Sequence, residues 1–191
     1  MASLHFHYAA MNSGKSSHLL QVAFNYKERG MNVIILKPAV DTRDGSTVSS
    51  RIGISAEAHM ISCDDSLKTI IDRENEINEI HCVLVDEAQF LTIDQVKQLA
   101  YVVDCLEIPV MCYGLLSDSN GSLFPASSEL LVLAEEKVEH KTICWCGKKA
   151  TMTMRIDEHG NKIWGPRVSI GGNDRYISVC RKHWNMGKSS K

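Results

Sequence analysis

The chain has 191 residues, 44% of them hydrophobic and 23% charged, the range of one ordinary globular domain with a small appendage; disordered, collagenous and coiled-coil chains are excluded. With 21 Lys and Arg against 23 Asp and Glu the net charge is −2, a poor footprint for bulk electrostatic binding to DNA. No apolar run approaches the ~18–20 residues of a membrane span, and Met1–Tyr8 has no basic start, long apolar stretch or cleavage site, so a cytoplasmic protein is expected.

Leu-His-Phe-His-Tyr at 4–8 alternates apolar and polar side chains as a strand does, and it runs directly into Ala9-Ala10-Met11-Asn12-Ser13-Gly14-Lys15-Ser16. A helix is expected from Ser17 to Arg29, with Leu19, Leu20, Ala23 and Phe24 near helical spacing and Gly30 as a left-handed cap. Val33–Leu36 is a branched apolar run suited to a strand covered on both faces, stopped by Pro38. Ala39–Ser55, rich in Asp, Ser, Arg and Gly, reads as a long loop. A helix follows from Ser66 to about Asn75, then a buried strand at His81–Asp86. A further helix spans Thr92–Val103 with Ile93, Val96, Leu99, Ala100 and Val103 inward, and a fourth strand spans Val110–Tyr113.

Strands alternating with helices imply an α/β unit with a parallel sheet and right-handed crossovers over residues 1–141. From Thr142 to the end, residues 142–191, short β-prone pieces at Thr151–Ile156 and Tyr176–His183 suggest a small metal-stapled β subdomain, with Met186–Lys191 as a frayed tail.

Gly14-Lys15-Ser16 at a strand-to-helix junction supplies what a triphosphate needs: backbone N–H groups at a helix N-terminus, a lysine for the β and γ oxygens, and a hydroxyl for Mg²⁺. Ala9 stands where the strict phosphate-loop pattern has its first glycine, so a serine-rich turn before an ordinary helix is the plain alternative. Val83-Leu84-Val85-Asp86-Glu87 is a hydrophobic strand ending in two carboxylates. In phosphate-loop enzymes the aspartate there holds the Mg²⁺ shell and the next residue can act as base; alone, the pair also reads as solvated acids at a sheet edge.

The seven cysteines are odd in number and lack secretory context, which argues against a disulfide framework. Cys82, Cys105 and Cys112 lie in or beside apolar segments and read as small core residues. Cys144-x-Cys146 and Cys180-x-x-His183 form two soft pairs that suit tetrahedral structural zinc, and Gly147 favours a metal-wrapping turn; the tight first spacing leaves free thiols as the alternative.

Taken jointly, Ala10–Ser16, Asp41-Thr42-Arg43, Val85-Asp86-Glu87-Ala88-Gln89-Phe90, Cys112-Tyr113-Gly114-Leu115, Lys141–Gly147 and Ile170–His183 resemble the thymidine kinases of the small, tetrameric, zinc-containing type (type II), most of all the bacterial members, over nearly the whole chain. The resemblance implies a RecA-like phosphate-loop sheet, a zinc subdomain with a lasso-type lid loop over the nucleoside, and transfer of the ATP γ-phosphoryl group to the 5′-hydroxyl of thymidine or deoxyuridine. It implies Glu87 as the base, with Arg43 near the acceptor, and Asp86 and Gln89 joining the phosphate loop at the ATP and Mg²⁺ site. Met11, Asp41, Phe90, Leu115, Phe124, Thr153 and Tyr176 would surround the thymine, and the loop of Arg167, Val168, Ser169, Ile170 and Gly171 would offer backbone groups to the base edge. A homotetramer regulated by thymidine triphosphate, with no direct role for nucleic acid or membrane, is implied in the same way.

Two departures stand out. Ser119 occupies a position where the family usually has an aromatic ring stacked on thymine, a loss worth about 1–3 kcal/mol, or roughly tenfold to a hundredfold in affinity, unless a neighbour compensates. Ala9 in place of glycine is milder, since bacterial members have a small residue there. Two rivals from other classes stay open. Asp86-Glu87-Ala88-Gln89 looks like the acidic box of nucleic-acid-dependent ATPases, although those cores place ATP between two domains. A catalytically weak nucleotide-binding or zinc module would bind ATP without nucleoside-dependent turnover.

Overall fold

A computed structural model describes residues 1–39, 45–165 and 175–190. Asp41, Arg43, Arg167, Val168, Ser169, Ile170 and Gly171 therefore lie outside the described residues.

In chain order the elements are β1 (Leu4–Ala9), α1 (Lys15–Glu28), β2 (Val33–Pro38), β3 (Thr47–Ser49), β4 (Ser55–Glu57), β5 (His59–Ile61), α2 (Leu67–Ile77), β6 (Cys82–Val85), a 3-10 turn at Ala88–Phe90, α3 (Ile93–Leu106), β7 (Val110–Leu115), α4 (Pro125–Leu133) and β8 (Glu136–Glu139). Beyond them come β9 (Thr142–Ile143), β10 (Lys149–Ala150), β11 (Met152–Arg155), β12 (Tyr176–Val179) and α5 (Arg181–Met186).

The main sheet has the order β5-β2-β6-β7-β1-β8, and each of its pairings is parallel. One strand, β7, separates β1 from the acidic strand β6, which is the RecA-like arrangement. Parallel pairing requires crossovers, so both faces are covered and the strands read as continuous apolar runs; Cys82, Val83, Leu84 and Val85 are all fully buried. The period-two alternation then sorts them. Val83, Val85, Leu4, Phe6, Val110 and Cys112 join α2, α3 and α4 on one face. Cys82, Leu84 and Tyr113 join Leu19, Leu20 and Ala23 of α1 on the other.

Helix ends follow local chemistry. Thr92 Oγ accepts from the Gln95 backbone N–H at 3.1 Å while Gln95 Oε1 accepts from Thr92 N–H at 3.0 Å, a capping box that starts α3. Ser66 Oγ caps α2, accepting from Thr69 N–H at 3.3 Å. Gly30, at φ 71°, sits just past α1 in the left-handed conformation expected of it.

Several expectations are corrected. The stretch 39–55 is not all loop, because Thr47–Ser49 and Ser55–Glu57 pair antiparallel, and Val48, fully buried against α1, anchors this hairpin. Ile93 is 42% exposed rather than inward: the capping box fixes the first turn of α3, and the buried stripe runs through Val96, Leu99, Val102 and Val103. Cys105 is exposed, on the solvent side of α3, whereas Cys82 and Cys112 are buried. The tail is not simply frayed, since Lys188 bridges to Asn161, its N–H donates to His183 O at 3.0 Å, and its carbonyl accepts from Trp145 Nε1 at 3.3 Å.

After β8 the chain leaves the main sheet and builds two small antiparallel ladders, β9–β10 and β11–β12. Their core is Cys144, Ala150, Met154, Val179 and Cys180. These ladders dock on the C-terminal end of β1. Thr153 Oγ accepts from Met11 N–H at 3.3 Å, the Ser178 hydroxyl donates to Met11 O, and the Thr142 hydroxyl donates to Asn12 O at 3.2 Å.

Candidate functional site

The loop between β1 and α1 turns through two left-handed residues, Asn12 (φ 61°) and Gly14 (φ 81°). Asn tolerates that conformation and Gly adopts it freely, which is why these residue types stand there. Space is not the reason at Gly14, where an added Cβ would meet nothing within 4 Å. Lys15, first in α1, curls back so that Nζ donates to Ala10 O at 3.2 Å and Ser13 Oγ at 3.4 Å. Burial pushes its ammonium below the ordinary lysine value, and the negative charges of Glu87 and Asp86 offset part of that.

Across the loop, the C-terminal end of β6 delivers the two carboxylates. Ser16 Oγ donates to both oxygens of Asp86, at 3.3 and 3.4 Å. Burial, and then repulsion from Glu87, raise the Asp86 carboxyl well above the ordinary range. Asp86 and Ser16 together form an oxygen donor set beside Lys15, the hard chemistry that fits Mg²⁺.

Glu87 follows with φ 50° and ψ 39°, a left-handed backbone that costs a non-glycine residue about 1–2 kcal/mol and persists only where surroundings enforce it. The 3-10 turn holds that backbone, Phe90 N–H donating to Glu87 O at 3.0 Å, and the side chain is held by Gln89. Its Nε2 donates to Glu87 Oε2 at 2.5 Å while its Oε1 accepts from Leu115 N–H at 2.9 Å, so one amide ties the carboxylate to the end of β7. The resemblance implies a place for Gln89 on the ATP side and none for Gly114. A Cβ at Gly114 would lie 2.9 Å from Gln89 Oε1 and 3.1 Å from Gln89 N, which explains the glycine.

Of the residues expected around the nucleoside, some lie in contact with one another. Phe90 and Phe124 meet edge to face at 5.9 Å between centroids, Phe124 being buried. Leu115 ends β7 beside Gln89, and Thr153 holds Met11. Tyr176 is half-buried, opposite Arg155 in the β11–β12 ladder. Ser178 and Thr142, which clamp the Met11–Asn12 backbone, were not anticipated; a lone hydroxyl in a short strand carries no sequence signal.

The four soft residues converge. Their ligand atoms lie within 4.8 Å of one another, with Cys144 Sγ and Cys180 Sγ at 3.3 and 3.4 Å from His183 Nδ1, and Cys146 Sγ at 4.0 Å from Cys180 Sγ. Gly147 (φ 83°) closes the turn after the first pair, and α5 carries His183 three residues after Cys180, on the same face. Burial pushes the Cys144 thiol up, but hydrogen bonds from the Cys146 backbone, His183 and the Cys180 backbone outweigh it and hold the thiol below its ordinary value. Three thiols and one imidazole are a donor set able to hold zinc.

A family model for thymidine kinase matches residues 2–184. The chain belongs to the thymidine kinase family. It is 55% identical over 186 residues to "Thymidine kinase" of Vibrio cholerae serotype O1, covering 96% of this chain and 97% of that one. To the protein of the same name from Rhodopirellula baltica it is 54% identical, covering 96% and 88%. The chain is thus an ATP-dependent nucleoside kinase, a phosphotransferase. Among solved structures, a replication initiator, DnaA, bound to AMPPCP and single-stranded DNA overlaps 73% of this chain and 40% of that chain at TM-score 0.39 and 20% identity, too little to bear on function.

Ser119, where the resemblance led an aromatic ring to be expected, is 5% exposed and its carbonyl accepts from Trp184 Nε1 at 3.1 Å. The Trp184 ring also closes over the same loop, 3.1 Å from where a Cβ on Gly121 would stand. The loop carrying Ser119 is thus tied through its backbone to an indole contributed by α5.

Gly114→Ala is expected to cost about 1–3 kcal/mol of stability, because backbone as well as side chain must yield, and to lower turnover at least tenfold by displacing Gln89 from Glu87. Denaturant unfolding and steady-state kinetics check this; an alanine variant unchanged in both would show that the Gln89 tie is unimportant.

Proposed function

We propose that the protein transfers the γ-phosphoryl group of ATP to the 5′-hydroxyl of thymidine, giving dTMP, and that it also accepts deoxyuridine. The supporting observation is the convergence of Lys15, Ser16, Asp86 and Glu87 at the C-terminal ends of β1 and β6, where Ser16 and Asp86 already share a hydrogen bond. In this reading the backbone N–H groups of Ala9–Ser16 cradle the phosphates and Lys15 swings from Ala10 O and Ser13 Oγ onto the β and γ oxygens. Ser16 and Asp86 hold Mg²⁺, which when bound neutralises charge on those oxygens.

Glu87 accepts the 5′-hydroxyl proton as the oxygen attacks the γ-phosphorus, and the bond from that phosphorus to the β–γ bridging oxygen breaks to release ADP. Phe90, Phe124, Leu115, Met11, Thr153 and Tyr176 hold the thymine. Arg43, Asp41 and the loop Arg167–Gly171 belong to the same proposal from outside the described residues: Arg43 stabilises charge near the acceptor and the loop excludes water, without which hydrolysis competes.

Residues 1–141 form the nucleotide-binding domain and 142–191 the zinc-bearing one, the Cys3His set holding structural zinc. The assembly is a homotetramer, inhibited by dTTP, acting in the cytoplasm on free nucleosides rather than nucleic acid. No helix among the described residues is long and apolar enough to cross a membrane.

The acceptor assignment makes a sharp prediction. Thymidine lacking its 5′-oxygen (5′-deoxythymidine) should inhibit competitively and support no ADP release above the nucleoside-free rate; ADP release equal to that with thymidine would refute the 5′-hydroxyl as acceptor. Stimulation of ATP hydrolysis by DNA would instead favour the nucleic-acid-dependent ATPase reading.

A further inference from the structure

The polar side of β1 does not face solvent. His7 lies under α1 at 6% exposure, paired in register with Tyr113 of β7 and stacked on its ring at 4.5 Å between centroids. His18, one turn into α1, and His140, just after β8, complete a triangle whose ring centroids are 5.1, 5.2 and 5.1 Å apart. We propose that His7, His18 and His140 form a second metal site, separate from the Cys3His set, that takes a divalent transition ion of the imidazole-binding kind, such as Ni²⁺, Co²⁺ or Zn²⁺.

Geometry carries this. One ring nitrogen from each histidine lies within 4.8 Å of the other two, and His7 Nδ1 is 3.0 Å from His140 Nε2. Three rings pointing at one ion through bonds of about 2.0–2.1 Å, at tetrahedral angles, would have centroids about 5 Å apart, close to the triangle observed. Burial, and then the charges His18 and His140 would carry, push His7 down to about 3, so its ring is neutral and keeps a lone pair at physiological pH.

A supporting group is already in place. Tyr113 Oη meets His18 Nδ1 at 3.0 Å, the oxygen contact that fixes ring orientation in metal sites and leaves Nε2 for the ion. His18 is solvent-exposed, which opens an entry path. Three neutral nitrogens without a carboxylate favour late transition ions over Mg²⁺ or Ca²⁺, so the ion accompanying ATP should not compete. The charge of Lys15, felt at His140, opposes a cation and limits the affinity.

An ion there would brace three supports of the phosphate loop at once. His7 lies two residues before Ala9, His18 N–H donates to Gly14 O at 3.0 Å, and His140 N–H donates to Tyr8 O at 2.9 Å. Holoprotein carrying one equivalent of zinc, titrated with Ni²⁺, should bind one further equivalent while zinc stays constant by elemental analysis. Its midpoint of thermal unfolding should rise by about 5–10 °C at a hundredfold excess over Kd. His18→Gln, at an exposed position, and His140→Gln, at a half-buried one, should each lose the second equivalent and the thermal shift. His159→Gln, on an exposed turn, should keep both. Zinc alone at one equivalent with no nickel bound, or nickel retained in both His18→Gln and His140→Gln, would overturn the proposal.

Discussion

Glu87→Gln should leave ATP affinity within about twofold of wild type and lower single-turnover transfer to thymidine by about 10²–10⁴, the usual contribution of a positioned general base. The substitution preserves the shape of a side chain held in an unusual place: the backbone is left-handed at φ 50°, and Gln89 Nε2 reaches the carboxylate at 2.5 Å. ATP contacts in this account belong to the loop before α1, to Lys15, to Ser16 and to Asp86; the change removes none of these side chains and alters only the charge that Asp86 and Lys15 feel. Rapid-quench transfer beside equilibrium ATP binding separates the two effects. Wild-type turnover in the variant would remove Glu87 from the base role, and a parallel collapse of ATP binding would make its role structural.

Cys144→Ser should release the metal, lower the unfolding midpoint and reduce transfer at least a hundredfold. The core of the small ladders consists of Cys144, Ala150, Met154, Val179 and Cys180, so two of its buried members are themselves metal-ligand candidates. So small a core does not stand without its staple, and for such units metal-binding energy is folding energy. Loss would spread to the nucleotide side, because Thr153, Ser178 and Thr142 hold the Met11–Asn12 backbone. Metal analysis, thermal unfolding and transfer rates on the same preparation check this. A metal-free variant with wild-type stability would show that the four residues are not a structural metal site.

Buried strands and phosphate-loop residues were legible because their physics is local. Val33–Leu36 and Cys82–Val85 declare a doubly covered strand by unbroken apolar character, and Gly14-Lys15-Ser16 declares a turn into a helix. What was missed has no such signature. The paired strands Thr47–Ser49 and Ser55–Glu57 are polar but for Val48 and Ala56; β8 is an exposed edge strand of Glu and Lys around one Val, a composition that guards an edge rather than marking a strand. In α4 the buried face is Ala126, Ser127 and Leu130 while Val132 is exposed, so its apolar residues do not form a stripe. Candidate site residues in motifs can be nominated from sequence, whereas the Gln89 tie, the Ser178 and Thr142 clamps and the histidine triangle arise from register and docking across up to 167 positions of sequence.

The most direct test of the account is ATP γ-phosphoryl transfer to thymidine, deoxyuridine and deoxycytidine with Mg²⁺, with hydrolysis measured in a nucleoside-free control. The account predicts dTMP as the preferred product, transfer to deoxyuridine as well, little to deoxycytidine, and hydrolysis far below transfer. A KM for thymidine in the range of aromatic-bearing relatives would show that the absence of a ring at Ser119 is compensated, and one raised roughly tenfold to a hundredfold would show that it is not. Absence of transfer to thymidine by protein that binds ATP and carries its metal would contradict the central claim.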